Sequence, residues 1–371
     1  MEYKIRNIKF LSYFLLFNAL YLIFIAHSFA ENDEYLRQIS ENIRTTDKVK
    51  SIQALEELIE YQSTTPTLNG IKLIFSLVEK STISSPSLLE KFIPRIKIND
   101  EIIQWFENDA IISPNSQIRL LALRIIGTNL INGHSGKIIS VDRLKKFIYD
   151  PEEQIRIETI KYLAQINDTT IISLLSVSVN DGSYMVRKLV LETLRKYPYS
   201  PIVLDILLKR YPSESSLTLQ FEMEEVIIFT VDSCVSGTDI ILASLNSNLP
   251  EIRSLACRII GKSLLIRNAY PDEKEKYIKT LMHFQSNDNE DVLASRIWAL
   301  MKLCNNTSLL LAEFYKKTIF NPQYSISTRL FALDSFYNSA SPEEKINIIK
   351  PIFWEQIDSS GPADWRLKSY W

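Results

Sequence analysis

Apolar residues along this chain recur at helical intervals, and the elements they predict come in pairs. Between 46 and 61, Val49, Ile52, Leu55, Leu58 and Ile59 are spaced to lay one apolar stripe along a helix. The same reading predicts helices over 32–44, 68–80 and 87–96, with Thr65-Pro66 and the Ser/Thr/Pro stretch 81–86 as breaks. From 99 onward the helices pair: 102–108 with 115–130, 137–149 with 151–165, 170–180 with 183–196, and 201–211 with 215–231. The pairs 238–247 with 250–264, 272–285 with 290–303, and 307–320 with 325–338 continue the series. A helix over 342–357 closes it, ahead of a tail bearing Trp365, Tyr370 and Trp371. No stretch sustains period-two alternation, and the run Val226-Ile227-Ile228 sits inside a helical window, so the pattern predicts an all-α chain.

The second helix of most pairs opens on one phrase: an Arg, two variable residues, a small or β-branched residue, then an apolar one. It stands at Arg119, Arg156, Arg187, Arg253, Arg296 and Arg329, at intervals of 37, 31, 66, 43 and 33 residues. The long interval is twice 33, and the missing copy falls at Gln220, where Gln replaces Arg and Met223 the small residue. Such a period marks a stacked-repeat architecture in which each unit buries its apolar face only against its neighbours. The turn before Arg156 shows the local chemistry. Asp150 is placed to cap, Pro151 suits a first helical position, and Glu152 and Glu153 suit the positive end of a helix dipole. Acids also stand six residues ahead of Arg187 (Asp181) and Arg296 (Glu290), so an acid in one turn and an Arg in the next helix could form a ladder between repeats.

The stretches Asp150-Pro-Glu-Glu-Gln-Ile-Arg-Ile-Glu-Thr-Ile-Lys-Tyr-Leu-Ala, Pro250-Glu-Ile-Arg-Ser-Leu-Ala-Cys-Arg-Ile-Ile-Gly and Pro114-Asn-Ser-Gln-Ile-Arg-Leu-Leu-Ala-Leu-Arg-Ile-Ile-Gly resemble HEAT repeats. They are similar to the short HEAT-like variety of bilin lyases and bacterial scaffolds. The resemblance covers about residues 99–340. It implies a right-handed α-solenoid of stacked helix–turn–helix repeats whose concave face binds other proteins. The Trp…Leu-Gly…Tyr pattern of tetratricopeptide repeats and the Thr-Pro-Leu-His of ankyrin repeats are missing. The expected organisation is a signal peptide over 1–30, diverged repeats or a cap over 31–98, the repeat array over 99–340, and a capping helix with aromatic tail over 341–371.

Composition adds two things. Eight glycines in 371 residues leave little material for phosphate-cradling loops and favour long helices. The first thirty residues read as an export signal: Lys4, Arg6 and Lys9 precede an apolar run over 10–26, and Ser28-Phe29-Ala30 supplies a small-x-small site, with cleavage expected between Ala30 and Glu31. The rival reading is an uncleaved membrane anchor. Cleavage leaves 39 basic and 43 acidic residues, a net charge of −4, which argues against a nucleic-acid partner; no later segment is apolar enough to span a bilayer. Cys234, Cys257 and Cys304 are odd in number, and buried thiols are expected rather than a disulfide framework, although Cys234 and Cys257 could pair.

Catalytic and ligand motifs stay at background. Once the signal is removed the histidines are His134 and His283, far apart along the array, so no metal and no cofactor is expected. The stretch Gly133-His-Ser-Gly-Lys137 lacks phosphate-loop spacing and reads as a turn. Glu222, Glu224 and Glu225 could do paired-carboxylate chemistry, but a helix starting near Ser215 puts Glu222 and Glu225 together on one face, so the cluster reads as solvated. The six arginines could form an anion-binding row, but paired with acids they would lock turns together. Asn167 and Asn305 head glycosylation sequons that matter only in a glycosylating cell. The function expected is an exported, periplasmic or secreted, non-enzymatic scaffold for unidentified protein partners. The alternatives are a ligand-binding or lyase-like enzyme using the groove, and a membrane-anchored adaptor.

Overall fold

The computed structural model describes residues 34–44, 47–79, 93–96, 98–131, 144–166, 168–283, 285, 287–304 and 309–349. The export segment with Ala30 and Glu31, the turn at 133–137 with His134, both sequon asparagines and the aromatic tail lie outside them. Among the described residues there is no strand, and the chain is an all-α repeat array. It divides between Ile171 and Ile172 into two compact units.

The first unit holds α1 (34–43), α2 (Lys48–Thr64), α3 (Leu68–Glu79), α4 (Asp100–Asn108), α5 (Ser116–Ile131), the single turn α6 (Lys145–Ile148) and α7 (Glu153–Leu163). The stripe expected on α2 is only partly its core: Leu55, Leu58 and Ile59 are buried, but Val49 and Ile52 are exposed. α3 packs on α4 and α5, α5 packs on α7, and Phe75 meets the Trp105 ring edge-on at 4.9 Å. Of the helix expected over 87–96, the described part is a single 3-10 turn, Ile93–Arg95, with Pro94 in it.

The second unit contains α8 (Ile171–Ser178, its first residue at the boundary), α9 (Tyr184–Leu194), α10 (Pro201–Arg210), α11 (Leu217–Ser233), α12 (Val235–Ser244) and α13 (Pro250–Lys262). A short α14 (Leu264–Arg267) follows, then α15 (Pro271–Leu281), α16 (Glu290–Leu303), α17 (Leu309–Ile319) and α18 (Ile326–Ser339). The phrase-bearing helices pack in succession, α9 on α11, α11 on α13, α13 on α16 and α16 on α18, and their partners α10 and α12 touch in a second layer. The contact of α13 with α16 is the most extensive, and α13 is buried along almost its whole length. Of the closing helix expected over 342–357, Pro342–Glu344 is α-helical and Lys345–Ile349 widens into a π-turn.

Helix starts follow from side chains that take up the free N–H groups of the first turn. Asn99 accepts from Ile102, Ser183 from Met185 and Val186, Ser216 from Leu219, Asn289 from Val292 and Ser325 from Thr328. Prolines open α10, α13 and α15, where no N–H is needed. α7 departs from its expected start. It begins at Glu153, and Asp150 forms a tight turn by accepting the Glu152 N–H at 2.9 Å, because its carboxylate is held by another repeat.

Two glycines are required by close approach. In the repeated Arg-Ile-Ile-Gly segments, a Cβ on Gly127 would stand 2.6 Å from the Tyr162 ring, and one on Gly261 would overlap the Trp298 ring. Each aromatic belongs to the next phrase-bearing helix, so the missing side chain sets how closely two repeats stack.

Candidate interaction surface

Five of the six signature arginines are buried, Arg156 is half-buried, and four of them are paired with acids, which argues against an exposed anion-binding row. Arg253 is fully buried, Arg296 nearly so, and Arg119, Arg187 and Arg329 are also buried. In the first copies the guanidinium closes its own turn, and at Arg119, Arg187 and Arg253 it also serves the next one. Its Nη1 donates back to the carbonyl six residues earlier: Arg119 to Ser113 at 2.8 Å, Arg156 to Asp150 at 2.8 Å, Arg187 to Asp181 at 2.8 Å and Arg253 to Ser247 at 2.6 Å. Gln220 makes the same reach to Glu214 O at 2.7 Å, so the degenerate copy keeps the turn-closing half of the device.

The remaining nitrogens reach forward to an acid of the following turn. Arg119 donates from Nε and Nη2 to Asp150 at 2.7 and 2.8 Å, and Arg187 likewise to Glu214 at 2.8 and 3.0 Å. These are bidentate pairs, the strong form of the interaction. Asp150 and Glu214 stand six residues ahead of Arg156 and Gln220, so one acid serves the previous repeat with its carboxylate and its own repeat with its carbonyl. Asp181 shares the turn geometry: its carboxylate accepts the Ser183 N–H at 2.8 Å. Burial alone would raise the Glu214 carboxyl, but hydrogen bonds from Arg187 and the Ser216 N–H, with the charges of Arg187 and Arg210, hold it below the usual range.

The later copies depart from the rule. Arg253 donates to Asp288 at 2.6 Å, and Arg296 approaches the same carboxylate at 3.1 Å, so one acid serves two arginines. Arg296 turns its Nη1 to Thr280 O and Leu281 O and leaves its buried Nε without a partner. Glu290 points forward instead, accepting from the Ser325 N–H and hydroxyl and from the Thr328 hydroxyl. Those bonds, the Ser325 hydroxyl first, lower its pKa. Arg329 donates from Nε to Ile319 O at 2.8 Å. Glu214 and Asp288 were not among the expected site residues. The six-residue spacing ahead of Gln220 could have found Glu214; no spacing marks Asp288.

The acidic cluster on α11 is not uniformly solvated. Glu224 is buried, accepting from Arg258 Nε at 3.0 Å and Lys262 Nζ at 2.7 Å, because α13 lays both cations across it. Arg258 also donates to Ser254 and to the Tyr211 hydroxyl, each at 2.8 Å. Glu222 is half-buried and Glu225 exposed. All three cysteines are free thiols, with Cys257 buried. Among the described residues no group of three His, Cys, Asp or Glu side chains could hold a metal, and no helix is long and apolar enough to cross a membrane.

The phrase-bearing helices also leave large apolar side chains in water. On α11, Leu217 is 70% and Phe221 64% exposed, and Phe229 is also exposed. Tyr184 and Met185 are exposed at the start of α9. The exposed pair Arg195–Glu225, 3.3 Å apart, joins the two helices on this side. Large apolar side chains held in water at successive turns of one helix are the usual mark of a surface that another macromolecule covers.

Comparison with known proteins agrees with the repeat reading. The family of HEAT repeats matches residues 141–227, and this stretch is HEAT-repeat sequence. No curated protein matches the chain. Solved structures it is similar to include importin β, at 10% identity and TM-score 0.36, with 90% of this chain and 51% of that one covered. Another is Uso1-2, at 12% identity and TM-score 0.33, with 88% and 63% covered. A third is Kap121p bound to Pho4p, at 13% identity and TM-score 0.32, with 90% and 36% covered. The chain thus spans about a third of Kap121p and half of importin β.

Proposed function

We propose that this chain is a non-enzymatic HEAT-repeat scaffold that binds other proteins through the exposed face of α9 and α11, and that it works outside the cytoplasm after its first thirty residues are removed. One observation carries the binding reading. Five of the six signature arginines are buried, and Arg119, Arg187 and Arg253 tie one repeat to the next, while Leu217, Phe221 and Phe229 stand in water on one helix. A repeat array needs the first set of contacts to exist and has no structural use for the second. The Arg195–Glu225 pair gives that face a polar edge, as protein interfaces have. The export reading rests on the basic start, the apolar run and the Ser28-Phe29-Ala30 site.

The test is in-cell crosslinking and affinity capture of a tagged full-length precursor beside its Phe221→Asp variant, read by mass spectrometry. Reproducible protein partners that the variant loses support the reading. An identical partner set from both, or a co-purified small molecule in place of any protein, refutes it. Intact-mass measurement of the same material decides export processing: a mass that includes residues 1–30 refutes cleavage.

A further inference from the structure

We propose that the cleft between α12 and the α14–α15 segment docks a short extended stretch of a partner protein, one that carries a large apolar side chain beside a Lys or Arg. The inference rests on the protein-binding reading above but places a second contact on a different surface.

The cleft is built by an irregular repeat. The interval from Arg253 to Arg296 is 43 residues, against 31 to 37 for the other adjacent copies. The extra length is α14 and the turn over 268–270. Asp232, at the end of α11, fastens this insert. Its carboxylate accepts the Leu264 and Leu265 N–H groups at 3.2 and 3.1 Å and the Ser263 hydroxyl, and Ser263 in turn caps Ile266. With the insert held between α12 and α15, a cleft of about 710 Å³ remains, within the range of natural binding sites.

The lining has two characters. Its buried lining residues are Ile266, which is apolar, and Tyr277, whose phenol is hydrogen-bonded to Thr238. Its rim presents Leu264, Leu265 and Tyr270 to water, Tyr270 at 81% exposure. Beside them stand the carboxylates of Asp239 and Glu273 and a single cation, Lys276, whose Nζ is 3.7 Å from Asp239. Asp232 is already engaged, so the charge left for a partner is acidic, and it selects a cation next to an apolar anchor. Lining residues this exposed make an open trough. A small ligand would stay largely wet in it, whereas an extended peptide can place one side chain against the apolar lining residues and continue past both ends.

The experiment uses the full chain without its export segment and two fluorescein-labelled heptapeptides, Gly-Lys-Phe-Lys-Leu-Lys-Gly and its counterpart with Glu at every Lys, read by fluorescence anisotropy. The lysine peptide should bind and the glutamate peptide should not. Tyr270→Ala and Glu273→Lys, both at exposed positions, should each weaken binding roughly five- to tenfold at low salt with the melting temperature unchanged, as loss of an anchor or reversal of a pairing charge implies. Phe221→Asp should leave peptide binding intact. No binding of the lysine peptide, equal binding of the glutamate peptide, or full retention by both cleft variants overturns the proposal. Peptide binding lost in Phe221→Asp but kept in Tyr270→Ala also overturns it, by moving the contact to α11, and leaves the scaffold reading standing. Loss of partner capture in Phe221→Asp with peptide binding unchanged separates the two surfaces.

Discussion

Asp150 is the sharpest test of the idea that stacking is locked by paired charges. Its carboxylate receives Arg119 twice and the Glu152 N–H once, and the ion pair is almost dry, with the two side chains 10% and 5% exposed. Asp150→Ala strands a buried guanidinium that keeps only its bonds to Ser113 O and Pro114 O. Breaking one side of a buried pair costs about 3–5 kcal/mol. The retained carbonyl contacts place this case near the lower end, and the orphaned Glu152 N–H adds about 1 kcal/mol. The expected loss is therefore about 4 kcal/mol, or roughly 8–16 °C in melting temperature for a unit of this size. Urea unfolding followed by far-UV circular dichroism measures it, with Asp205→Ala as control. The Asp205–Lys209 pair is exposed, so its loss should cost under about 0.5 kcal/mol. The double variant Arg119→Met, Asp150→Leu should recover most of the loss, because two apolar groups need no counterion. A cost below about 1 kcal/mol for Asp150→Ala, or a double variant as unstable as the sum of the singles, would refute the reasoning.

Further outcomes follow from the same contacts. Gly261→Ala should cost about 1–3 kcal/mol by forcing the Trp298 ring away, and Trp298→Leu in the same chain should restore part of that; a neutral Gly261→Ala in urea unfolding rules out the close approach. Glu214 has its folded pKa held below its unfolded value, so its contribution to stability is complete above about pH 4.3 and is lost as pH falls through the lower folded value. Glu214→Gln should therefore start less stable at neutral pH and show a flatter acid limb in melts from pH 7 to 3; parallel limbs would contradict the pairing. Burial pushes the Cys257 thiol up to about 12 and the Cys304 thiol up to about 11, so iodoacetamide at mildly alkaline pH should modify Cys234 first and Cys257 only in urea. Peptide mapping that finds Cys257 labelled as fast as Cys234 would show that its surroundings open in the native chain.

The class of fold was written in local order. Apolar spacing such as Ile155, Ile160 and Leu163 makes one buried helix face whatever lies beyond it, and a phrase repeated at 31 to 43 residues can bury those faces only by stacking. Gln220 could be read as a degraded Arg because the amide repeats the back-reach to the turn, which depends only on residues six apart. Partner choice across repeats was not legible, because it depends on how far each turn carries the next helix. At Arg119 and Arg187 the acid six residues ahead of the next phrase meets the previous arginine. After the insert at α14, Asp288 takes both Arg253 and Arg296, and Glu290, at the expected spacing, turns forward to Ser325. Glu224 likewise lies in an acidic run that looks solvated until α13 lays Arg258 and Lys262 over it. Helix identity is set by periodicity within a dozen residues. Which charge is buried, which apolar residue is left in water, and where a cleft opens are set by contacts between residues some thirty apart, and only the stacked repeats bring those together.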